Sequence, residues 1–294
     1  MTSILTNNSA MAALQTLRSV NNNLSDTQSA VSSGLRVGKA ADNAAYWSIA
    51  TTMKSDNGAL SAVSDALGMG AAKVDTAYTA VQSSIDVVSE IKAKLVAATE
   101  DGVDKAKIND EVKQLQQQLK SISASASFNG ENWVSNAETK TMSVVSSFIR
   151  TAGGVSVSTS GYSAQADDLL FSDTQSGILD RTGSSAAGSI SEFSITAGDT
   201  KGTIDELITD TEDALKSMTS LGSKLGSLQK GIDLQSDFVS KLSDSIDSGV
   251  GRLVDADMEE ESSKLSALQT QQQLAVQSLS IANSSSQNIL SLFR

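Results

Sequence analysis

A chain of 294 residues with 39% hydrophobic but only 4% aromatic content can build only a thin, aliphatic core of the helical-bundle kind. It has no Pro, Cys or His, which excludes disulfides, Cys nucleophiles, His general bases and His or Cys zinc sites. Its formal net charge of −12 argues against a nucleic-acid partner, and no apolar run approaches the ~18 residues of a membrane span.

The first residues, MTSILTNNSA, carry neither a basic n-region nor an apolar h-region, so no conventional secretory signal is expected. From there Leu14, Leu17, Asn21, Leu24, Gln28, Val31 and Leu35 step by three and four, the spacing of a heptad seam. The run VSSGLRVGKAADNAAYWSIATTM at 31–53 then interrupts the pattern. Its Gly34 and Gly38 allow a change of direction, and Tyr46 and Trp47 are expected to pack and fix the new one. Arg36 and Asp42 are placed to pair across this joint.

A second seam follows, through Leu60, Val63, Leu67, Gly70, Val74, Ala77, Val81, Ser84, Val88, Ile91, Leu95 and Ala98. It spans about 60 Å of helix at ~1.5 Å per residue. After EDGVDKAK, a shorter helix carries Ile108, Val112, Leu115, Leu119 and Ile122. The helical period then disappears from about Ser127 to Gly202. FNGENWV holds an Asn-Gly turn signal, and MSVVSSFIR, GGVSVSTSGY and SEFSIT have β character.

The carboxyl half repeats the first. A third seam runs through Leu207, Thr211, Ala214, Met218, Leu221, Leu225, Leu228, Ile232, Gln235, Val239, Leu242 and Ile246. A second glycine-containing joint, SGVGRLVDAD, leads to a fourth seam: Met258, Glu261, Leu265, Leu268, Gln272, Ala275, Leu279, Ala282, Ser286, Ile289 and Phe293. The fold expected is mainly α: a long antiparallel coiled-coil or helical rod hairpin, paired terminal helices, and a small β-rich insertion in the middle.

Charge separates these regions. Residues 1–46 hold Arg18, Arg36 and Lys39 against Asp26 and Asp42, and residues 262–294 hold only Lys264 and Arg294. The acidic excess therefore lies between them. Solvated helices usually carry Lys and Glu outside, whereas both terminal helices offer Ser, Thr, Asn, Gln and Ala. Such faces suit packing against other subunits, and polar residues in the seams weaken an isolated pair, so these ends are expected to be marginal alone and to fold on assembly.

The joint carries a resemblance. Ser32-Ser33-Gly34-Leu35-Arg36-Val37 followed by Ala41-Asp42-Asn43-Ala44-Ala45 resembles the "SSGLRI…DDAAG" signature of bacterial flagellin. FNG at 128–130 and the ending QLAVQSLSIANSSSQNILSLFR are similar to further family stretches, in the family's order. The resemblance covers roughly the first 135 and last 95 residues and leaves the middle unmatched. It implies a subunit of the flagellar filament that serves motility and is no enzyme. The divisions it implies are a terminal coiled-coil domain (1–36 and 252–294), joint segments (37–46 and 247–251), a rod domain (47–135 and 203–246) and a variable outer domain (136–202).

In that family the paired termini line a central channel and the rod makes the tubular wall. The assembly seam carried over is Leu14, Leu17, Leu24, Val31, Leu35, Leu265, Leu268, Leu279, Ile289 and Phe293. The joint motif is Ser33, Gly34, Arg36, Asp42, Ala44, Ala45, Tyr46 and Trp47. Implied partners are other copies of the chain, sister flagellins, hook–filament junction proteins, the filament cap and an export chaperone at the carboxyl-terminal region. Export through the flagellar type III apparatus to the extracellular filament is implied, with no nucleic acid, membrane, metal or cofactor. Tyr46-Trp47 replaces the small residues of the common signature. IKAKLVAAT at 91–99 departs from the "RELAVQ"-like stretch that innate immune receptors read, so that recognition is not expected.

Other readings stand beside this one. A hook–filament junction protein shares the terminal architecture, and a chemoreceptor-like signalling coiled coil also uses Ala, Ser and Gln heptads. No nucleophile–base pair, phosphate loop or metal cluster can be assembled for an enzyme. DADMEEE at 255–261 lacks calcium-loop spacing and reads as acids favoured at a helix start. Gly222 and Gly226 imply close helix packing, and the sequons at Asn7 and Asn283 read as chance.

Overall fold

The computed structural model describes residues 7–136, 141–151, 154–183 and 188–291, with the side chains of 162, 163, 166 and 285–291 left out. The chain forms two compact units, Met1–Asn57 with Asp244–Arg294, and Gly58–Ser243. Five helices account for most of the described residues: α1 (Asn8–Ser33), α2 (Ala44–Ala98), α3 (Lys105–Ser125), α4 (Lys201–Val254) and α5 (Met258–Ser291).

In the larger unit, the expected seam of α2 is buried along its whole length from Leu60 to Ala98. It faces α4, whose Leu207, Ala214, Met218, Leu221, Leu225, Ile232 and Val239 are buried in turn. The two run antiparallel, as the Lys92–Glu212 ion pair and the approach of Gly222 to Val81 show. Helix α3 begins at Asp104, whose carboxylate accepts from the Ala106 and Lys107 amides and satisfies two orphan donors. Its apolar stripe of Ile108, Val112 and Leu119 joins the core.

A second stripe on α3, not anticipated from the sequence, is polar and buried: Asn109, Gln116 and Ser123. Asn109 and Gln116 hold the middle of the chain. The Gln116 amide donates to the Ile190 and Phe193 carbonyls, both at 3.0 Å, and Asn109 Oδ1 accepts from the Ile195 amide at 2.8 Å. SEFSIT is therefore not a strand, contrary to its β character. Its Phe193 and Ile195 are buried, and side chains of α3 take the backbone bonds that a partner strand would have taken.

The remaining β signals do form strands. β1 (Ser127–Phe128) and β2 (Glu131–Asn132) pair about Asn129 and Gly130, both at positive φ, as a tight Asn-Gly turn requires. β3 (Ser135–Asn136) pairs in parallel with β6 (Phe171–Ser172). β4 (Thr141–Thr151) and β5 (Gly154–Ser163) form an antiparallel hairpin with an irregularity between Val145 and Ser147. Between β5 and α4 the chain is mostly irregular, yet Leu169, Leu170, Ile178 and Leu179 are buried and Asp168 pairs with Lys224 of α4. The insertion is thus a hairpin plus a buried irregular segment, packed in the same compact unit as the helices.

The hairpin rests on α2 through one small residue. A methyl group at Gly70 would lie 2.0 Å from a Val144 methyl, so the glycine supplies the seat for this buried valine. Gly70→Ala should therefore displace the hairpin and destabilise this unit by about 1–3 kcal/mol, read as a lower thermal midpoint. Gly68→Ala, with open space around it, should leave the midpoint unchanged or raise it.

Lys94 of α2 lies 2.6 Å from Glu111 of α3. The hydrogen bond and then the charge of Glu111 raise its pKa above the ordinary lysine value of 10.5, with Glu90 adding to the effect. A raised folded-state pKa contributes stability that is fully present below 10.5 and is lost as pH rises through the folded value. Urea midpoints measured upward through that window should fall less steeply in Glu111→Gln than in the parent.

Candidate assembly interface

The terminal unit is organised by its two joints. Helix α1 ends at Gly34, a left-handed cap (φ +72°) whose amide donates to the Ala30 carbonyl at 2.8 Å. The next residues bond to the other joint, more than 200 positions away. The Arg36 and Val37 amides donate to the Val254 carbonyl at 2.7 and 3.2 Å, and the Ala256 amide donates to the Gly34 carbonyl at 2.9 Å. Leu35 and Asp255 thereby form an isolated antiparallel bridge.

Arg36 serves the same contact with its side chain. Its guanidinium donates to the Leu253 carbonyl at 3.1 Å and reaches the Arg252 carbonyl at 3.5 Å, satisfying backbone acceptors at the end of α4. It does not pair with Asp42, as its sequence position had suggested. Asp42 instead accepts from the Gly38 and Lys39 amides, both at 3.0 Å, with the Lys39 ammonium at 3.9 Å. A carboxylate beside two unpaired amides closes its own loop more readily than it reaches across the joint.

Each following helix is capped from within its joint. Asn43 Oδ1 accepts from the Ala45 and Tyr46 amides at 3.1 Å, starting α2. Asp257 Oδ1 accepts from the Glu259 and Glu260 amides at 3.0 and 3.2 Å, starting α5. DADMEEE is thus a cap with Glu259, Glu260 and Glu261 in the positive first turn. Among the described residues no group of three or more Asp or Glu is placed to hold a metal ion.

Behind the hydrogen bonds lies a small apolar cluster: Val37, Ala50, Val250 and Val254, with Leu35, Met53, Ile246 and Leu253 packed against it. This cluster and the Asn43 cap fix the direction of α2. Tyr46 and Trp47 do not, because both rings are exposed, and Ala44 and Ala45 in the same turn are exposed too. Leu35 belongs to the joint cluster rather than to the helix seam. Ser33 accepts from the Leu35 amide and donates to the Ser29 carbonyl, stitching the last turn of α1.

Helices α1 and α5 pair antiparallel. Gln272 donates to Asn21 at 2.8 Å, and Asn7, the cap of α1, also donates to the Ala282 carbonyl at 2.9 Å. On α5 Met258, the first residue of the expected seam, is exposed, but beyond it the seam faces inward: Leu268 is buried, and Glu261, Leu265, Gln272, Ala275, Leu279 and Ala282 are half-buried. The side chain of Ile289, and Phe293 altogether, lie outside the described residues.

On α1 the phase differs at alternate positions. Leu17, Leu24 and Val31 face α5 at half burial, but the residues between them are Ala13, Val20 and Thr27. Leu14, Asn21 and Gln28 are exposed. The register follows shape: α5 supplies three leucines, and small or β-branched residues on α1 leave room for them. Choosing the largest apolar residue at each step missed this; the Asn7 tie left no motif beyond an ordinary capping residue.

Toward one end the pair leaves large apolar groups exposed on both flanks of its seam, Leu274 and Ile281 on one side of α5 and Val276 on the other. Met11 and Leu14 of α1 and Leu274, Val276 and Ile281 of α5 are exposed. The Asn7–Ala282 and Asn21–Gln272 contacts bracket them on the two helices. Five large apolar groups within a few turns exceed the scattered exposure usual on a solvated helix pair.

The joint gives a direct prediction. Arg36→Ala hands two exposed carbonyls of α4 back to water and should cost about 0.5–1 kcal/mol, while Gly34→Ala forces a side chain into the left-handed region and should cost about 1–2 kcal/mol. Chemical denaturation followed by helical circular dichroism should register both losses, whereas Asp42→Asn, which keeps an acceptor, should change little.

Residues 4–139 match the family model described as the bacterial flagellin N-terminal helical region, and residues 208–293 match that of the bacterial flagellin C-terminal helical region. Flagellin A of Rhizobium meliloti strain 1021 is 49% identical over 394 aligned positions, covering all of both chains. The flagellin of Brucella melitensis biotype 1 is 48% identical over 295 positions, again covering all of both. Among solved structures, a protein described as flagellar hook-associated from Vibrio parahaemolyticus shares the fold at a TM-score of 0.50 and 14% identity, over 73% of this chain and 100% of that one.

Proposed function

The chain belongs to the bacterial flagellin family, the structural subunits of the flagellar filament, and we propose that it polymerises through the exposed flanks of its terminal helix pair. The family is structural rather than enzymatic, and its members self-assemble into the extracellular filament that drives swimming. The observation that carries the proposal is the set of large apolar groups, Met11, Leu14, Leu274, Val276 and Ile281, which α1 and α5 leave to solvent on the flanks of their seam.

In this reading the seam residues Leu17, Leu24, Val31, Leu265, Leu268 and Leu279 hold the pair together, and Leu14 turns outward to meet a neighbour. Residues 1–36 and 252–294 form the filament core, and 37–46 with 247–251 act as the joint. Residues 47–135 and 203–246 build the tubular wall, leaving 136–202 outermost. The scarcity of charge on both terminal helices supports their burial among other subunits, since neutral Ser, Asn and Gln lose less on desolvation than Lys or Glu. Sister flagellins, junction proteins, the filament cap and a chaperone covering the carboxyl-terminal helix before export complete the proposed partners. A chaperone there would shield Leu274, Val276 and Ile281 from premature association.

Removal of residues 262–294 should leave a soluble monomer that seeds cannot elongate, while the full chain grows without limit from the same seeds. Ile281→Asp should raise the critical concentration about tenfold or more, the effect of losing one central apolar contact. Sedimentation and electron microscopy read both. Long filaments from the truncated chain would contradict the proposal.

A further inference from the structure

The exposed joint rings have no role in holding the joint, which leaves their exposure unexplained. At the start of α2, Tyr46 is 42%, Trp47 39% and Ile49 50% exposed. Trp47 and Ile49, two positions apart, look to different sides of the helix, so Trp47 leads one exposed face while Tyr46 and Ile49 share another. Lys54, seven residues beyond Trp47 and therefore on nearly the same helix face, is exposed beside it.

A complementary patch lies elsewhere on the chain. Leu234 and Phe238 of α4, one turn apart, are 59% and 56% exposed and point away from the buried Ile232 and Val239. Exposed Lys230 and Lys241 stand within a turn on either side, and exposed Asp233 and Asp237 precede the two apolar residues. The Lys230 and Lys241 ammonium groups suit the face of Trp47, Asp237 suits Lys54, and the Trp47 ring suits the apolar surface of Leu234 and Phe238.

Open helical polymers require two different, complementary surfaces on each subunit, because a head-to-tail contact whose rotation does not close continues indefinitely. We propose that the Trp47–Lys54 face of one subunit docks on the Leu234–Phe238 face of α4 in a second copy, forming an assembly contact separate from the terminal helix pair. It rests on the filament reading above and adds to it a second, aromatic contact at the joint. The joint then has two jobs: its inner side holds the two chain ends together, and its outer side grips a neighbour.

The chain's composition makes this testable in the intact protein. It has only two Trp, and Trp133 is buried, so Trp133→Phe leaves Trp47 as the single reporter; subtracting a Trp47→Phe spectrum from the parent's supplies the same signal without touching Trp133. On seeded polymerisation, Trp47 emission should shift to the blue and its quenching by acrylamide should fall severalfold. Trp47→Ala and Phe238→Ala should each raise the critical concentration about tenfold, as loss of a buried aromatic contact does, with monomer helicity unchanged. The double variant should be little worse than either single one. Filaments in which Trp47 stays as quenchable as in the monomer overturn the proposal, as does a critical concentration indifferent to Phe238→Ala. Neither result touches the role of the terminal helices, which fails separately if filaments survive loss of residues 262–294.

Discussion

Three backbone hydrogen bonds between residues 34–37 and 254–256 are the constraint on which the terminal unit depends. They join segments more than 200 residues apart, so their net contribution, about 1 kcal/mol each, is small against the entropy of closing so long a loop. They form because α2 and α4 are already long helices whose ends supply Ala50, Met53, Val250 and Val254 as an apolar floor. Once formed, they set where α1 ends and α5 begins, and the Asn21–Gln272 and Asn7–Ala282 contacts follow in register.

This arrangement divides stability unevenly. The larger unit has a continuous buried seam on α2, a largely buried one on α4, and a third helix that clamps the irregular insertion with buried amides. The pair α1–α5 has few fully buried seam positions, Val20, Thr27 and Leu268 among them, and leaves five large apolar groups outside. Neighbours in the proposed assembly would add the burial that this pair lacks by itself. For a subunit that must be a monomer before assembly and part of a wall after it, that imbalance is functional.

The seams of α2 and α4 were legible in the sequence almost residue by residue, because α2 is buried along one continuous stripe, α4 along most of one, and burial selects the apolar residue at each step. The α5 seam was legible because Leu265, Leu268 and Leu279 keep to one stripe, although only Leu268 is fully buried. On α1 the stripe was half misread: where a face is only partly buried, Leu14 gains as much outside as Ala13 does inside, and hydropathy no longer identifies the packed side. Arg36 and Asp42 were correctly placed in the joint but wrongly paired, since neither sequence nor spacing reveals backbone acceptors contributed by α4. SEFSIT looked like a strand because extended, alternating residues are common to strands and to irregular segments pinned by side-chain amides. Nothing local in α3 marks Gln116 and Asn109 as the groups that do the pinning.

The central claim is that the terminal helices are held only loosely by one another and become fully stable when neighbouring copies cover them. Amide hydrogen exchange along the chain, in monomer and in filament, tests it most directly. The account predicts rapid exchange for 8–33 and 258–291 in the monomer, protection of these segments by orders of magnitude in the filament, and slow exchange of 60–98 in both states. Equal and strong protection of the terminal helices in the monomer would contradict it.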